Sequence, residues 1–176
     1  DAHLAAAKKA VVGLTKLGLM SGDPEEAVSK GAHALFYPHG LGHMLGLDVH
    51  DMEGLGEDLV GYDDKNQRSD QFGLAYLRFS KDLEPGFVLT VEPGIYFISH
   101  LIDQWKADNK LSEHINYAEV EKFKGFGGIR IEDNIAISDQ GYSVLGPHIP
   151  KTTEEIEDIM QSVSYTHLRA HETIAD

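Results

Sequence analysis

Apolar residues recur at helical spacing in the first part of the chain. Over residues 2–19 they lie three or four positions apart with lysines between them, which predicts an amphipathic helix. Asp23, followed by Pro24 and then Glu26, is typical of a capped helix start. A second helix is therefore expected from Pro24 to near Gly31.

Three later stretches also favour helix. Residues 101–110 and 117–123 have helical spacing, and Thr152 with Glu155 forms the pattern of a capping box at the start of a last helix. Between the early and late helices, residues 52–80 show no clear period and contain a polar run. That stretch is expected to be a long surface excursion, and long loops beside a site often cover it.

Strand patterns dominate the second half. Residues 87–97 are rich in β-branched and aromatic side chains, and Pro93 with Gly94 is expected to bend that strand. Apolar and polar residues alternate over 129–137, which predicts a strand with one apolar face, followed by a hairpin to a short strand at 142–145. Helices first and antiparallel strands later indicate an α+β fold rather than alternating α/β.

Composition narrows the class of protein. A chain of 176 residues with 41% hydrophobic residues fits one domain with a real core. A formal charge of −14 argues against a nucleic-acid or anionic-membrane partner, since phosphate binding needs clustered Lys and Arg. The chain has no cysteine, so any metal ion must be held by histidine nitrogen and carboxylate oxygen. No apolar run is long enough for a membrane span and no signal peptide is evident, so the expected location is cytoplasmic.

The strongest candidate for chemistry is the stretch 37–51, which holds three histidines and three glycines. Glycines let the backbone approach other groups closely, so the segment is expected to be strand and turn that presents its histidines. His39 and His43 stand four apart, as in the helical zinc-protease motif, but that motif's glutamate is absent and glycines replace the helix formers. For His50, structural and substrate-binding interpretations are evenly matched.

Two carboxylates lie in similar settings further on. Glu92 follows Thr-Val and precedes Pro-Gly, and Glu132 follows Gly-Ile-Arg-Ile. Alternation places each glutamate on the strand face opposite the apolar one, with Arg130 beside Glu132. An inward glutamate is costly unless it is paired or bound to metal. Two interpretations stay open here: a metal-binding set with His43, or a buried Glu92–Arg130 ion pair without function.

The remaining histidines and acids favour ordinary structural roles. The histidines expected at the surface or in the core are His33, His100, His114 and His148, while His167 and His171 fall in a segment without a fold signal. The acidic run at the start of the last helix is expected to be solvated.

Taken together, the His/Gly stretch, Thr-Val-Glu-Pro-Gly-Ile-Tyr and Gly-Ile-Arg-Ile-Glu-Asp resemble the pita-bread metallopeptidases, in the branch of aminopeptidase P and prolidase. The resemblance covers residues 1–160. It implies two divalent metal ions, commonly Mn²⁺ with Co²⁺ or Zn²⁺ as alternatives, held by two Asp, one His and two Glu. Carried over, it makes His43 and Glu92 ligands, Glu132 the ligand that bridges the metals, and Glu92 also the general base.

The same resemblance implies a peptide-binding site. His50 is carried over as a catalytic and substrate-binding residue, and Arg130 as a substrate-binding residue. His39 is grouped with the substrate-binding residues without a defined role. The implied substrate is a peptide with proline at its second position, and a homo-oligomeric parent is left open.

Two departures from the family are evident. The family's two Asp ligands lie upstream of the matching region, and Asp1 and Asp23 are badly placed to replace them. Residues 161–176 do not look like the family, and they are expected to be a read-through or cloning remnant. The sequence therefore predicts, over residues 1–160, the C-terminal portion of a pita-bread domain, a curved antiparallel sheet with flanking helices.

The expected activity is that of an Xaa-Pro aminopeptidase in the parent protein, with this fragment inactive alone. Prolidase, the Xaa-Pro dipeptidase, is the near alternative. A metal-free pita-bread binding module is the alternative from a different class, and the intact His43, Glu92 and Glu132 argue against it.

Overall fold

The computed structural model describes residues 2–172, and side-chain environments within residues 2–162. The chain divides into two compact units, one ending at Leu145 and the other beginning at Gly146. Within the described residues, no helix has the length and apolar character needed to cross a membrane.

The described residues contain helices and antiparallel strands, as the sequence predicts. The α-helices are α1 (Ala2–Lys16), α2 (Pro24–Ser29), α3 (Glu57–Gly61), α4 (Ser99–Ala107), α5 (Tyr117–Val120) and α6 (Thr153–Glu172). Short 3-10 helices cover Ala32–Leu35, Glu53–Leu55 and Glu121–Phe123. The strands are β1 (Val88–Val91), β2 (Gly94–Phe97), β3 (Gly127–Arg130), β4 (Asp133–Ser138) and β5 (Gly141–Leu145).

Local signals place the helix ends well. Asp23 caps α2, since its Oδ1 accepts hydrogen bonds from the backbone N–H groups of Glu25 at 3.0 Å and Glu26 at 2.9 Å. The first helix ends at Lys16, three residues before the predicted end, because Gly18 takes a positive φ of 74° and turns the chain.

Helices α1, α2, α4 and α5 and the 3-10 helix Ala32–Leu35 share one apolar core with part of β2, which we call the helical core. Val11 from α1 and Ile102 from α4 are fully buried in it. The helical core consists of Ala7, Val11, Leu14, Leu19, Met20, Ala27, Val28, Ala32, Ala34, Leu35, Phe36, Tyr37, Phe97, Ile102, Trp105, Ile115, Tyr117 and Val120. His33 and His114 are also buried, whereas His100 and His148 are exposed, in agreement with the surface-or-core assignment.

The strands form two antiparallel sheets, with orders β1-β4-β5 and β2-β3. In the first sheet Val91 faces Asp133, and in the second Gly94 faces Arg130. Residues 92–93 on one side and 131–132 on the other lie between these ladders, and we call this place the sheet junction. Pro93 has no N–H to donate, but its carbonyl accepts a hydrogen bond from the Ile131 N–H at 3.2 Å.

The single strand predicted over 129–137 is therefore wrong, because the chain breaks at Ile131 and passes from one sheet to the other. Its apolar face is also not uniformly buried. Ile129 is 61% exposed and Ile131 42% exposed, whereas Ile135 is 9% exposed. The predicted bend at Pro93 and Gly94 and the hairpin into β5 are confirmed.

The stretch 37–51 contains less strand than expected. Met44 makes an isolated antiparallel bridge with Leu89, and the segment hydrogen-bonds to β1 along the edge that β4 leaves free. The bonds are Leu45 N–H to Val88 O at 2.9 Å, Thr90 N–H to His43 O at 3.0 Å and Glu92 N–H to Leu41 O at 2.7 Å. This pairing places the histidines of the stretch beside β1.

Residues 52–80 are more ordered than a plain surface excursion. Tyr62 and Leu77 are buried, and Arg68 bonds to Asp58 at 2.8 Å and to the Ala75 carbonyl at 2.8 Å. The Arg68 guanidinium also lies 4.4 Å from the Tyr62 ring centre. Arg68 thus contacts Asp58, Tyr62 and Ala75, so the segment 52–80 folds back on itself.

The second unit consists mainly of α6, and its predicted capping box is confirmed. The Thr152 hydroxyl accepts from the Glu155 N–H at 3.2 Å, and Glu155 accepts from the Thr152 N–H at 3.1 Å. The Lys151 and Thr152 N–H groups, which both donate to the Glu155 carboxylate, lower the pKa of Glu155 to about 2. The helix continues to Glu172, past Ser162, where the sequence loses its apolar period.

Candidate functional site

His43 is held rigidly beside β1. Its side chain is 6% exposed, its backbone N–H donates to Thr90 Oγ1 at 3.1 Å, and its Nδ1 lies 2.9 Å from the Met44 carbonyl oxygen. Because a carbonyl can only accept, Nδ1 must carry the hydrogen. In the neutral ring Nε2 then has a free lone pair, so His43 is fixed in the form that binds metal ions.

Glu92 lies at the sheet junction and faces His43. Its side chain is 13% exposed, and its Oε1 lies 3.3 Å from His43 Nε2. Its Oε2 lies 3.3 Å from a guanidinium nitrogen of Arg130. A carboxylate oxygen and an imidazole lone pair repel each other at this distance unless positive charge lies between them, as a proton on the ring or a bound cation. The pair therefore has the electrostatics of a cation site.

Thr90 connects these two residues, and sequence reasoning did not single it out. It is 2% exposed, accepts from the His43 N–H, and donates its hydroxyl hydrogen to Glu92 Oε1 at 3.0 Å. A Cβ added at Gly42 would lie 1.8 Å from the Thr90 carbonyl oxygen, so this approach needs glycine. Strand parity puts Thr90 and Glu92 on one side of β1, which is the signal that could have identified Thr90.

Glu132 does not join His43 and Glu92. Its Oε2 lies 3.7 Å from Arg130, whose other nitrogen contacts Glu92, so the guanidinium stands between the two glutamates. The side chains of Arg130 and Glu132 are 48% and 44% exposed. Within residues 2–162, no three or more His, Asp or Glu side chains converge on a position that could hold a metal ion. The donor chemistry of His43 and Glu92 fits a divalent metal, but the predicted three-ligand set is not assembled.

His50 packs against His43. The two ring centres lie 4.3 Å apart with an interplanar angle of 87°, an edge-to-face contact. Its Nδ1 lies 3.9 Å from Glu53 Oε2, and its side chain is 46% exposed. His50 therefore lies beside His43, with nearly half of its side chain exposed.

His39 is engaged differently. Its Nδ1 lies 2.7 Å from the Gly40 carbonyl oxygen and its Nε2 lies 3.0 Å from the Tyr96 hydroxyl. A neutral ring satisfies both contacts when Nδ1 donates and Nε2 accepts from the tyrosine. The lone pair of His39 is thus used within the protein, which suits a wall residue rather than a metal ligand.

A cavity of about 250 Å³ brings these side chains together and adds two that the sequence did not identify. Its lining comprises His39, Gly40, Gly42, His43, His50, Tyr76, Arg78, Glu92 and Arg130. Tyr76 and Arg78 come from the excursion 52–80, whose lack of periodicity gave no signal for them. The expectation that this excursion covers the site is met in part, since it forms one wall.

Comparison with known proteins identifies the class. Residues 1–139 match the model of metallopeptidase family M24. The chain belongs to this family.

Two relatives of the chain are named as Xaa-Pro peptidases. The chain is 44% identical over 160 residues to an Xaa-Pro dipeptidase of Rattus norvegicus, covering 91% of this chain and 31% of that protein. It is 41% identical over 157 residues to a probable Xaa-Pro aminopeptidase of Talaromyces stipitatus, covering 89% and 31%. The chain thus spans about a third of the length of the curated relatives it matches.

Solved structures agree. The aminopeptidase PepP of Pseudomonas aeruginosa superposes with a TM-score of 0.62 at 32% identity, covering 94% of this chain and 29% of that one. Aminopeptidase P from E. coli with the inhibitor Pro-Leu gives a TM-score of 0.59 at 36% identity, covering 90% and 28%. The predicted family branch and the α+β pita-bread fold are confirmed.

Proposed function

We propose that this chain is the C-terminal portion, over residues 1–160, of a metal-dependent peptidase that cleaves the bond between an N-terminal residue and a following proline. The observation that carries the proposal is the pairing of His43 Nε2 with Glu92 Oε1 at 3.3 Å, two electron-rich atoms that a bound cation would bridge. The rat dipeptidase and the fungal aminopeptidase among its relatives are named for Xaa-Pro substrates. Residues 161–176 are proposed to lie outside the catalytic domain.

The residues have distinct proposed roles. His43 and Glu92 would hold a divalent ion, and Mn²⁺ is proposed because carboxylate oxygen with a single imidazole suits that metal. Bound divalent metal would lower the pKa of water and polarise the scissile carbonyl. Glu132 would be the third ligand from this chain once the Arg130 guanidinium, now between the glutamates, turns toward solvent or substrate.

Proton transfer and substrate orientation fall to neighbouring groups. Glu92 accepts a proton as general base, and the hydroxyl of Thr90 holds one of its oxygens in place. His50 and Arg130 face the cavity and orient the peptide, while His39 forms its wall through Tyr96. The amide before proline has no N–H, so such a peptide offers one donor fewer, and a dedicated pocket must compensate.

A dipeptidase is a second candidate, and one observation favours it. Arg78 lines the cavity together with Arg130, and two cations beside a bound peptide suit a free terminal carboxylate. The mammalian relatives at 42–44% identity are named Xaa-Pro dipeptidases. A metal-free binding module is less favoured, since it would have no need to keep the His43–Glu92 pair. A cytoplasmic location and a homo-oligomeric parent stay predictions.

The test is an assay of the enzyme that carries this sequence. After dialysis against chelator, an Xaa-Pro dipeptide and an Xaa-Pro-Xaa tripeptide are offered with Mn²⁺, Co²⁺, Zn²⁺ or excess EDTA. We expect activity to return with Mn²⁺ or Co²⁺. Full activity in EDTA would refute the proposal, and cleavage of the dipeptide alone would select the dipeptidase. The 176-residue chain by itself is expected to be inactive and to bind Mn²⁺ weakly at most, which titration calorimetry can measure.

A further inference from the structure

Glu53 is a largely covered carboxylate in a mostly exposed turn. Its side chain is 10% exposed, whereas its neighbours Met52 and Leu55 are 55% and 68% exposed. This reverses the usual distribution, in which the acid faces water and the apolar side chains are covered. Burying a carboxylate is costly unless it is paired, so the turn is built around that group.

The backbone supports this view. Met52 has a φ of 57°, in the left-handed region that non-glycine residues rarely occupy. A residue held in this region costs free energy, and such residues cluster at functional sites. Met52 directly precedes Glu53, whose carboxylate pairs with Arg78 near the other end of the excursion 52–80.

Glu53 contacts two residues of the candidate cavity. Its Oε2 pairs with Arg78 NH1 and lies 3.9 Å from His50 Nδ1, and its N–H donates to the His50 carbonyl at 3.4 Å. Glu57 also approaches Arg78, at 3.5 Å, but its side chain is 42% exposed and it pairs with Arg68 as well. Glu53 is thus the more buried of the two carboxylates that hold Arg78, and it also faces His50.

We propose that Glu53 is a positioning residue for the peptide site: it holds the His50 imidazole against His43 and holds the Arg78 guanidinium at the cavity. This inference rests on the proposed peptidase function. A half-exposed imidazole and a long arginine each lose rotamer freedom when fixed, and one shared carboxylate fixes both. An ion pair that served stability alone would require neither contact with His50 nor a left-handed residue before it.

The first test compares two glutamine variants of the enzyme. E53Q keeps the shape of the side chain but removes its charge, and E57Q removes a charge from the same arginine without touching His50. We expect E53Q to lower kcat/KM by about 10- to 100-fold, the loss that misplaced site groups cause, with kcat and KM both changed. E57Q is expected to change either constant less than about twofold, as for an exposed ion pair.

A double-variant cycle separates positioning from stability. If Glu53 acts through His50, E53Q added to H50Q should lower kcat much less than E53Q does alone. A merely structural role would give equal effects in both backgrounds, together with a lower unfolding temperature. If E53Q does not fold, E53D keeps the charge and shortens the reach by one methylene. Wild-type kcat/KM in E53D would then overturn the inference.

Histidine side-chain NMR gives a readout that does not need activity. The His50 ring resonances of the ¹⁵N-histidine-labelled enzyme are identified by their loss in H50Q. We expect E53Q to shift them and E57Q to leave them in place, since His43 lies within ring-current range. Unmoved resonances in E53Q would overturn the inference. Moved resonances in an enzyme that cleaves no Xaa-Pro peptide would support the positioning role while refuting the proposed function.

Discussion

The helical core and the sheet junction differ in the kinds of side chain that they bury. In the helical core, apolar side chains cover one another, and Val11 and Ile102 are fully buried. In the sheets, β3 and β5 are exposed along their whole lengths. Beside the sheet junction the buried side chains are those of His43 and Thr90, and the side chain of Glu92 is 13% exposed. The difference indicates that stability is concentrated in the helices and chemistry in the junction.

Buried polar groups show the same contrast. Among the described residues, His33 in the helical region has no hydrogen-bond partner on either ring nitrogen, and the Tyr37 hydroxyl has none. Burial lowers the pKa of His33 to about 4 and raises that of Tyr37, so both stay neutral. At the junction, Thr90 bonds to His43 and Glu92, and Glu92 bonds to Arg130. His33 and Tyr37 are therefore buried as neutral rings without hydrogen-bond partners, whereas Glu92 at the sheet junction is paired with Arg130.

The largest expected effect separates the two regions by function. Changing Glu92 or Glu132 to Gln in the enzyme should lower turnover by roughly 10²–10⁴-fold, or more if metal is lost, while the unfolding temperature stays nearly constant. Glu119→Gln, at an exposed ion pair, is the matched control. Steady-state kinetics and thermal unfolding check this. Near-normal turnover in both site variants would show that Glu92 and Glu132 have a structural role and no catalytic one.

Changing an isoleucine to alanine in the helical core and in β3 tests which of them contributes more to the unfolding free energy. Ile102→Ala should cost about 2–5 kcal/mol of unfolding free energy, because it opens a cavity in the helical core. Ile129→Ala, on exposed β3, should cost less than about 0.5 kcal/mol. Urea unfolding of the two variants measures the difference. Equal losses would remove the contrast between the regions.

Lowering the pH should reduce the unfolding free energy through two buried histidines, His3 and His33. Burial lowers the pKa of His3 and of His33 from 6.5 to about 4. The unfolded chain takes up protons as pH falls through 6.5, but the folded chain does not until about pH 4. Stability that is fully present above pH 6.5 is therefore lost between pH 6.5 and 4, by up to about 3 kcal/mol per histidine.

His33→Leu provides the check. The variant should lose less unfolding free energy than the wild type when the pH is lowered from 7.5 to 5, because one buried ring no longer competes for a proton. His100→Gln, which changes an exposed histidine, is the control. Identical profiles for wild type and His33→Leu would show that His33 does not carry the acid sensitivity.

Features encoded in neighbouring residues were predictable from sequence. Asp23 and the Thr152–Glu155 box mark helix starts by side chains that bond to adjacent backbone, and Pro93 marks a bend by its missing N–H. The break at Ile131 was not predictable in this way. Asp133 interrupts the row of isoleucines at alternate positions, but the change of sheet itself depends on the long-range bond to Pro93.

The residues of the candidate site also differ in whether their neighbours in the sequence identify them. His43 and Glu92 come from stretches whose composition is unusual by itself, and the structure places them together. Tyr76, Arg78 and Glu53 belong to an excursion without periodicity, whose fold depends on long-range bonds such as those of Arg68. Such contacts leave no local pattern, so sequence reasoning could not find them.

The smallest effect tests the bond that joins the two candidate ligands. Thr90→Val keeps the shape of the side chain but removes the hydroxyl, which leaves the buried His43 N–H without its acceptor. An unsatisfied buried donor costs about 1–3 kcal/mol, and Glu92 loses the hydrogen bond that orients it. Thr90→Val should therefore lower both stability and turnover, while Thr90→Ser, which keeps the hydroxyl, should retain most of both.

Asp23→Ala gives the comparison from the helical region. Loss of this cap should cost about 1 kcal/mol of unfolding free energy, similar to Thr90→Val, but should leave turnover unchanged because Asp23 touches only the start of α2 in the contacts described. Urea unfolding and steady-state kinetics on the three variants decide the matter. If Thr90→Val lost stability but kept wild-type turnover, its hydroxyl would serve packing alone. This bond at the sheet junction would then contribute to stability, as residues of the helical core do, and not to turnover.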